Sequence, residues 1–526
     1  MSRFHAIAVS HRRAGSTPAA RPCRSSGDAW TRGDWLWLIL LSLLALAARC
    51  IRLGHQPLWL DEVFTYQRIH LDTSALIADS FANRHMPNYF LLLRQLVPGG
   101  LDFASLRLPS ALCGALGVGV VYAIGQRVAG RFAGVVAALL MALAPTQVQY
   151  GQEARSYALL LLLIAVALWG LVALAQQVDH SVSDRHRPNA RWLPWAAYLG
   201  GTIGALDILG DAVPWLLASN VALFLVWRRL RARFPPALAR DFRRRWLWGQ
   251  GLVLVCCAPF YLAVSVASAG HVLNAFNWVP GLSLRNLWVV VGSIYLMRAA
   301  AVVHFGLVPT AVAVLSPLVA VLCGVGLYRL RGRLDGRVLV LGFATLPVLL
   351  LLVSVVKPVL VPRYVLWSAV PFFVLAGVGA AALPHRWKPA AAVLLLLLCL
   401  VNLWPVYRVE TKPRWDRAAA ALAAAVRPGD TIYAVDPNGL VMLETLQPPG
   451  EPPIGSQVLL TNHVDVAIAR WRGGSRVWVV NGRSALGRRE SDAQLEASLA
   501  ALGRPQRTMA LDREITVLEY APPPAG

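Results

Sequence analysis

The stretch YALLLLLIAVALWGLVALAQQ, Tyr157 to Gln177, contains no charged residue, and its reading decides the fold class. Its length matches the roughly 20 apolar residues that cross a hydrocarbon core about 30 Å thick. Similar runs lie on either side of it. The first is Trp35–Leu53, and others are centred near 104–125, 132–149, 192–209, 212–227, 246–268, 305–328, 338–356, 364–383 and 389–405. The segment Trp35–Ala48 has the length of a signal h-region, yet no small-residue cleavage site follows it. It reads as an uncleaved first helix, with Arg49 and Arg52 snorkelling at its far end. The pattern predicts a polytopic α-helical membrane protein with about eleven transmembrane helices.

Composition agrees. The chain is 57% hydrophobic and 15% charged, against about 45–50% and about 25% for soluble domains. The net charge of +23 does not describe a nucleic-acid face, because the arginines cluster in short loops between apolar blocks. Alternate loops carry Arg127/Arg131, Arg185/Arg187/Arg191, the run Arg228 to Arg245, Arg329/Arg331/Arg333/Arg337 and Arg386/Lys388. The positive-inside bias then places a basic, disordered tail (1–34) in the cytoplasm and the C-terminal end outside the inner (cytoplasmic) membrane. The seven cysteines show no metal-ligand spacing.

Two outer loops, 54–105 and 270–304, exceed what a connection needs. In the first, Asp72 is placed to cap one short helix and Pro87 to open a second, both lying in the interface plane. The second holds Trp278, Arg285, Trp288, Tyr295 and Arg298, a headgroup-region mixture. Past the membrane region (35–405) the composition changes. Strand-like runs at 431–435, 476–481 and 515–520 alternate with helical patterns at 415–426 and 491–502, which predicts a small α/β domain over 406–526.

Charge beside lipid is costly and tends to be functional, so the outer-face ionisable groups carry the chemistry. Asp61-Glu62 sits between aromatic and aliphatic residues just after the first span. Paired carboxylates of this kind supply a general base or a metal ligand, while a solvated turn or helix cap would produce the same dipeptide. Arg84-His85-Met86-Pro87-Asn88-Tyr89 leads into the second interfacial helix. Gln152-Glu153-Ala154-Arg155-Ser156-Tyr157 precedes the fourth span, and Val361-Pro362-Arg363-Tyr364 precedes the tenth. Outer-face arginines run against the charge bias and call for an anionic partner or a headgroup.

In this order, with Arg107-Leu-Pro-Ser110 opening the second span, the motifs over 35–405 resemble the GT-C glycosyltransferases of the protein O-mannosyltransferase and lipid A aminoarabinose transferase type. The family's His-Pro-Pro stands here as His85-Met86-Pro87. The C-terminal part, from about Lys412-Pro-Arg-Trp415, resembles the variable soluble appendages of bacterial members. The resemblance implies a polyprenyl-phosphate sugar as donor and inverting single displacement onto a protein, lipid or glycan acceptor. It implies Asp61 as base and Arg155 and Arg363 as stabilisers of the leaving phosphate. Glu62 would orient the acceptor or hold a divalent cation. His85, Tyr89, Arg107, Glu153, Tyr157 and Tyr364 would complete the substrate site.

Rival readings make different demands. A transporter or flippase should show broken helices at matching positions in two halves. No such symmetry is visible, and Asp207 with Asp211, the midchain acidic pair, reads as a short outer turn. A polysaccharide polymerase or ligase would not place Asp-Glu so early, and a structural scaffold leaves the outer-face motifs unexplained.

Overall fold

Residues 30–97, 99, 102–184, 192–269, 279–298, 316–482 and 499–523 are described by the computed structural model. Thr31 and Asp34 form a capping box: Asp34 N donates to the Thr31 hydroxyl at 3.3 Å and Thr31 N to the Asp34 carboxylate at 2.9 Å. This start launches α1 (Arg32–Cys50). The first outer loop folds into three helices rather than two: α2 (Leu60–His70), α3 (Thr73–Ala82) and α4 (Pro87–Leu96). Asp72 caps α3 through Ala75 N at 2.9 Å, and Pro87 opens α4, both as anticipated. The unanticipated helix is α2, which carries Asp61 and Glu62 in its first turn.

The bundle continues with α5 (Phe103–Ala129), α6 (Arg131–Leu143), α7 (Pro145–Gly151), α8 (Tyr157–Asp184), α9 (Trp192–Ile208), α10 (Val213–Arg233) and α11 (Pro236–Ala267). After α12 (Leu284–Ile294) come α13 (Pro317–Arg329), α14 (Leu334–Ser354), α15 (Pro362–Ala381) and α16 (Lys388–Arg408). Among the described residues eight helices are long and apolar enough to cross a membrane, or nine if the bent pair α6–α7 is one span. The shorter α9 (17 residues) and α13 (13 residues) stand at the fifth and eighth expected positions. The eighth is described only from residue 316 onward. Helix α15 lies at the centre, 89% of its apolar window buried, whereas α11 is 11% buried and presents its side chains outward.

The third span was expected to be continuous, but it bends by 60° between α6 and α7. Pro145 is the cause: it has no N–H for the Met141 carbonyl, and its ring excludes a continued helix. Arg49 fills the gap. Its guanidinium donates to the carbonyls of Ala142 (3.1 Å), Met141 (3.4 Å) and Gln147 (3.4 Å), and to Ala45 in its own helix (3.0 Å). Arg49 is 1% exposed, so the expected snorkelling applies to exposed Arg52 and not to Arg49. Gly114 and Gly151 flank the guanidinium so closely that a Cβ would stand 2.5 Å and 2.6 Å from its Nε. In the second outer loop Tyr295 also departs from expectation. It is buried and bonded to Ser368 at 2.6 Å, while Arg298 stacks on Trp288 at 5.0 Å; Trp278 lies outside the described residues.

A polar layer marks one end of the bundle. Asp34 accepts from Arg131 (2.9 Å) and the Tyr122 hydroxyl (3.2 Å), and Gln176 donates to Asp335 (2.8 Å). The helices reverse at that end, so the start of α5 and the loop before α8 meet at the other.

Past α16 come α17 (Trp415–Ala425), α18 (Gly439–Thr445) and α19 (Val464–Arg472) around a five-stranded sheet. The sheet order is β2-β1-β3-β5-β4, with β1 (Thr431–Ala434) parallel to β2 (Leu459–Thr461) and β3 (Val477–Asn481). β5 (Thr516–Tyr520) runs antiparallel to β3 and to β4 (Arg507–Ala510). The helix expected at 491–502 lies outside the described residues except for a 3-10 turn at Ala500–Leu502. Leu58, Val63, Leu93 and Leu106 share one apolar cluster with Trp415, Leu422, Ile432 and Trp478, so the sheet layer packs onto the first-loop helices.

Replacing Arg49 by Leu removes the donors for three bend carbonyls. An unpaired buried polar group costs about 1–3 kcal/mol, so the variant should melt several degrees lower in detergent. An unchanged melting temperature would show that the bend does not need the guanidinium.

Candidate functional site

The first turn of α2 builds the site. Leu58, Leu60 and Val63 are buried, which fixes the rotation of the helix and sends Asp61 and Glu62 in different directions. Glu62 is fully buried. Its Oε1 accepts from Arg107 Nε (2.7 Å) and Ala154 N (2.9 Å), and its Oε2 from Arg107 Nη2 (2.8 Å), Lys412 Nζ (2.6 Å) and Trp59 N (3.3 Å). Burial alone would raise the Glu62 pKa; the Arg107 and Lys412 charges overcome it and hold the carboxyl down to about 2. These partners leave no room for a cation, so the divalent-ion role considered for Glu62 does not fit. Among the described residues no three His, Cys, Asp or Glu side chains group so as to hold a metal.

Arg107, expected to bind substrate, is likewise saturated. Besides Glu62 it donates to the carbonyls of Leu53 (2.9 Å), Gln56 (2.8 Å) and Pro57 (2.8 Å), which uses all five N–H groups. It ties the start of α5 to the chain entering α2. Lys412 brings the segment after α16 to the same carboxylate, and burial pushes its ammonium pKa down. Gln56 Oε1 steadies that segment, accepting from Thr411 N (2.9 Å), Thr411 Oγ1 (2.9 Å) and Lys412 N (3.1 Å).

Asp61 is instead partly accessible, 24% exposed, and its Oδ2 accepts from Arg363 Nη1 at 2.9 Å. Arg363, at the start of α15, stacks on Trp59 (5.7 Å) and Tyr364 (5.4 Å). Arg155 Nη1 reaches the Asp61 carbonyl (3.3 Å) and Thr65 Oγ1 (3.2 Å), and Ser110 holds the Arg155 carbonyl (3.3 Å). Two guanidiniums thus converge on one carboxylate-bearing helical turn.

The other predicted residues gather around them. Tyr157 is buried edge-on to Tyr150 at 5.1 Å, and Tyr89 is buried against Phe90 at 5.4 Å. His85, edge-on to Phe90 at 5.9 Å, is held neutral by burial and by the charges of Arg155, Arg68 and Arg363, which push its pKa well below the usual range. Glu153 is 1% exposed and accepts from Gln149 at 3.0 Å. Burial is the main cause raising its pKa to about 7; the Glu62 charge adds to the shift and Lys412 opposes it.

Sequence reasoning missed the parts played by Thr65 and Trp59 and the reach of Lys412. Thr65 lies four residues after Asp61, so helical periodicity in 60–70 would have pointed to it. No local signal marks Lys412, which is 350 positions from its partner.

Residues 85–262, about one third of the chain, match the dolichyl-phosphate-mannose-protein mannosyltransferase family. No curated protein sequence matches. Two solved structures of ArnT from Cupriavidus metallidurans share the fold at 16% identity. The apo form has a TM-score of 0.53 and covers 93% of this chain and 98% of its own; the form bound to undecaprenyl phosphate has 0.54, 94% and 100%. Over 85–262 the chain thus resembles the protein mannosyltransferases, and along almost its whole length it shares the fold of ArnT.

Proposed function

We propose that the protein transfers a sugar from a polyprenyl-phosphate donor to a hydroxyl-bearing acceptor at the outer face of the cytoplasmic membrane. The observation that carries this reading is the Asp61–Arg363 contact with Arg155 alongside: one carboxylate and two guanidiniums at a membrane-helix end. Support for the donor comes from the ArnT structure of like fold, which binds undecaprenyl phosphate. The arginine-rich loops at the opposite end of the bundle favour a cytoplasmic placement for that end.

In this mechanism the donor phosphate takes Arg363 and Arg155, whose planar forks suit its oxygens, and this frees the Asp61 carboxylate. Asp61 accepts the acceptor's hydroxyl proton as that oxygen attacks the anomeric carbon. The carbon–oxygen bond to phosphate breaks, and its electron pair stays on the phosphate oxygen facing the arginines. A single displacement inverts the anomeric centre. Glu62, Arg107 and Lys412 act as positioning residues that fix the α2 turn. Tyr157, Tyr364, Tyr89, His85 and Glu153 enclose the reacting groups. The acceptor is a hydroxyl of a protein, lipid or glycan.

With purified protein in nanodiscs and polyprenyl-phosphate sugars, Asp61→Asn should lower turnover by about 10²–10⁴-fold, the range of general-base catalysis, with unchanged insertion. A fully active variant removes Asp61 from the mechanism.

Glu62→Gln leaves two buried cations under-compensated and should cost about 3–5 kcal/mol. Adding Lys412→Met should restore part of that stability, and strict additivity would argue against a coupled cluster. The folded pKa of Glu62 is depressed, so its contribution is complete above its ordinary 4.5 and is lost as pH falls towards about 2.

Glu153 has the opposite sign. Its raised pKa means a contribution complete below 4.5 and lost as pH rises through about 7. Thermal stability should therefore decline across that window in the wild type and stay flatter in Glu153→Gln. Identical pH profiles would show that Glu153 does not titrate there.

A further inference from the structure

Asp211 takes no part in the mechanism above, yet it stands beside it. It occupies a single 3-10 turn, Gly210–Ala212, between α9 and α10. The turn is fixed from behind: Trp367 Nε1 donates to the Asp211 carbonyl at 3.0 Å, and Trp367 is itself buried edge-on to Trp215 at 5.9 Å. The side chain is fixed less completely. Its Oδ2 is buried and has no hydrogen-bond partner among the described residues. Trp367 follows Arg363 by four residues on α15, so the Asp211 turn packs against the helix that carries this guanidinium, and the charges of Arg363 and Arg155 act on its carboxylate.

Arg363 makes its ion pair with Asp61 rather than with Asp211. Asp207, one helical turn earlier, lies towards Cys257 on α11. A buried carboxylate oxygen with no protein donor is costly to keep. A sugar joined to a phosphate held by those guanidiniums would bring O–H or N–H donors to this side of the site.

We propose that Asp211 is a specificity-determining residue that accepts a hydrogen bond from an O–H or N–H group on the donor's sugar ring. The assignment rests on the donor reading above. It gives the site two separate functions: Arg155 and Arg363 bind the phosphate common to all donors, and Asp211 distinguishes the sugar.

The test measures binding to wild type, Asp211→Ala and Asp211→Asn in nanodiscs. The ligands are bare undecaprenyl phosphate and undecaprenyl-phosphate mannose, arabinose and glucosamine. A site built to bond a substrate O–H or N–H discriminates strongly against ligands lacking it, so at least one glycosylated lipid should bind wild type ~10- to 100-fold tighter than the bare lipid. Asp211→Ala should erase that margin while holding the bare lipid. Asp211→Asn, which keeps an acceptor oxygen but no charge, should retain the margin for a neutral sugar and lose it for the amino sugar. The proposal is overturned if wild type prefers no glycosylated lipid, if Asp211→Ala keeps the margin, or if it weakens bare and glycosylated lipids alike. Failure of wild type to bind even bare undecaprenyl phosphate would overturn the donor reading instead.

Discussion

The buried carboxylate of Glu62 is the contact on which the site depends. One side chain receives α5 through Arg107, the turn before α8 through Ala154 N, and the segment after α16 through Lys412. Two cations around one anion would be unfavourable in isolation. Here the carbonyls of Leu53, Gln56 and Pro57 accept the remaining Arg107 donors and complete the solvation that water no longer provides. The geometry of Asp61 follows, because the neighbouring residue on the same helical turn cannot rotate without breaking this cluster.

The two adjacent acids illustrate how environment divides labour. Asp61 and Glu62 are chemically near-identical, but one is partly open and paired with a cation that a phosphate can claim, and the other is sealed. Glu153 is a third case: burial without an adequate counter-charge raises its pKa to about 7. The same balance governs the bend at Pro145, where a guanidinium serves carbonyls instead of a carboxylate.

Much of this was legible in the sequence, for reasons particular to each element. Bilayer-length apolar runs such as Tyr157–Gln177 announce themselves, and Asp72 and Pro87 mark helix starts by local chemistry. Helix α2 was missed because its apolar positions are interleaved with Asp61, Glu62, Gln67, Arg68 and His70, and its anchoring comes from other segments. Strand β2 is only three residues long and β4 is largely exposed, so both lack the apolar alternation that betrays a strand. The motif residues lie near one another in the structure, and their order along the chain is what linked them in the sequence. Their division into working and supporting roles was not legible there, because it depends on which donors surround each carboxylate. Arg49 shows the same limit: nothing local distinguishes an arginine at a lipid headgroup from one that closes a helix break.

The reach of Lys412 has a consequence for biosynthesis. Glu62 emerges from the ribosome early and meets Arg107 after a further 45 residues, but Lys412 follows only after 350. Throughout that interval the acid lacks its second cation, and the α2 turn is held by Arg107 and then Ala154 N without Lys412. The site therefore matures late, when the last span has entered the membrane and the final segment folds back over the first loop.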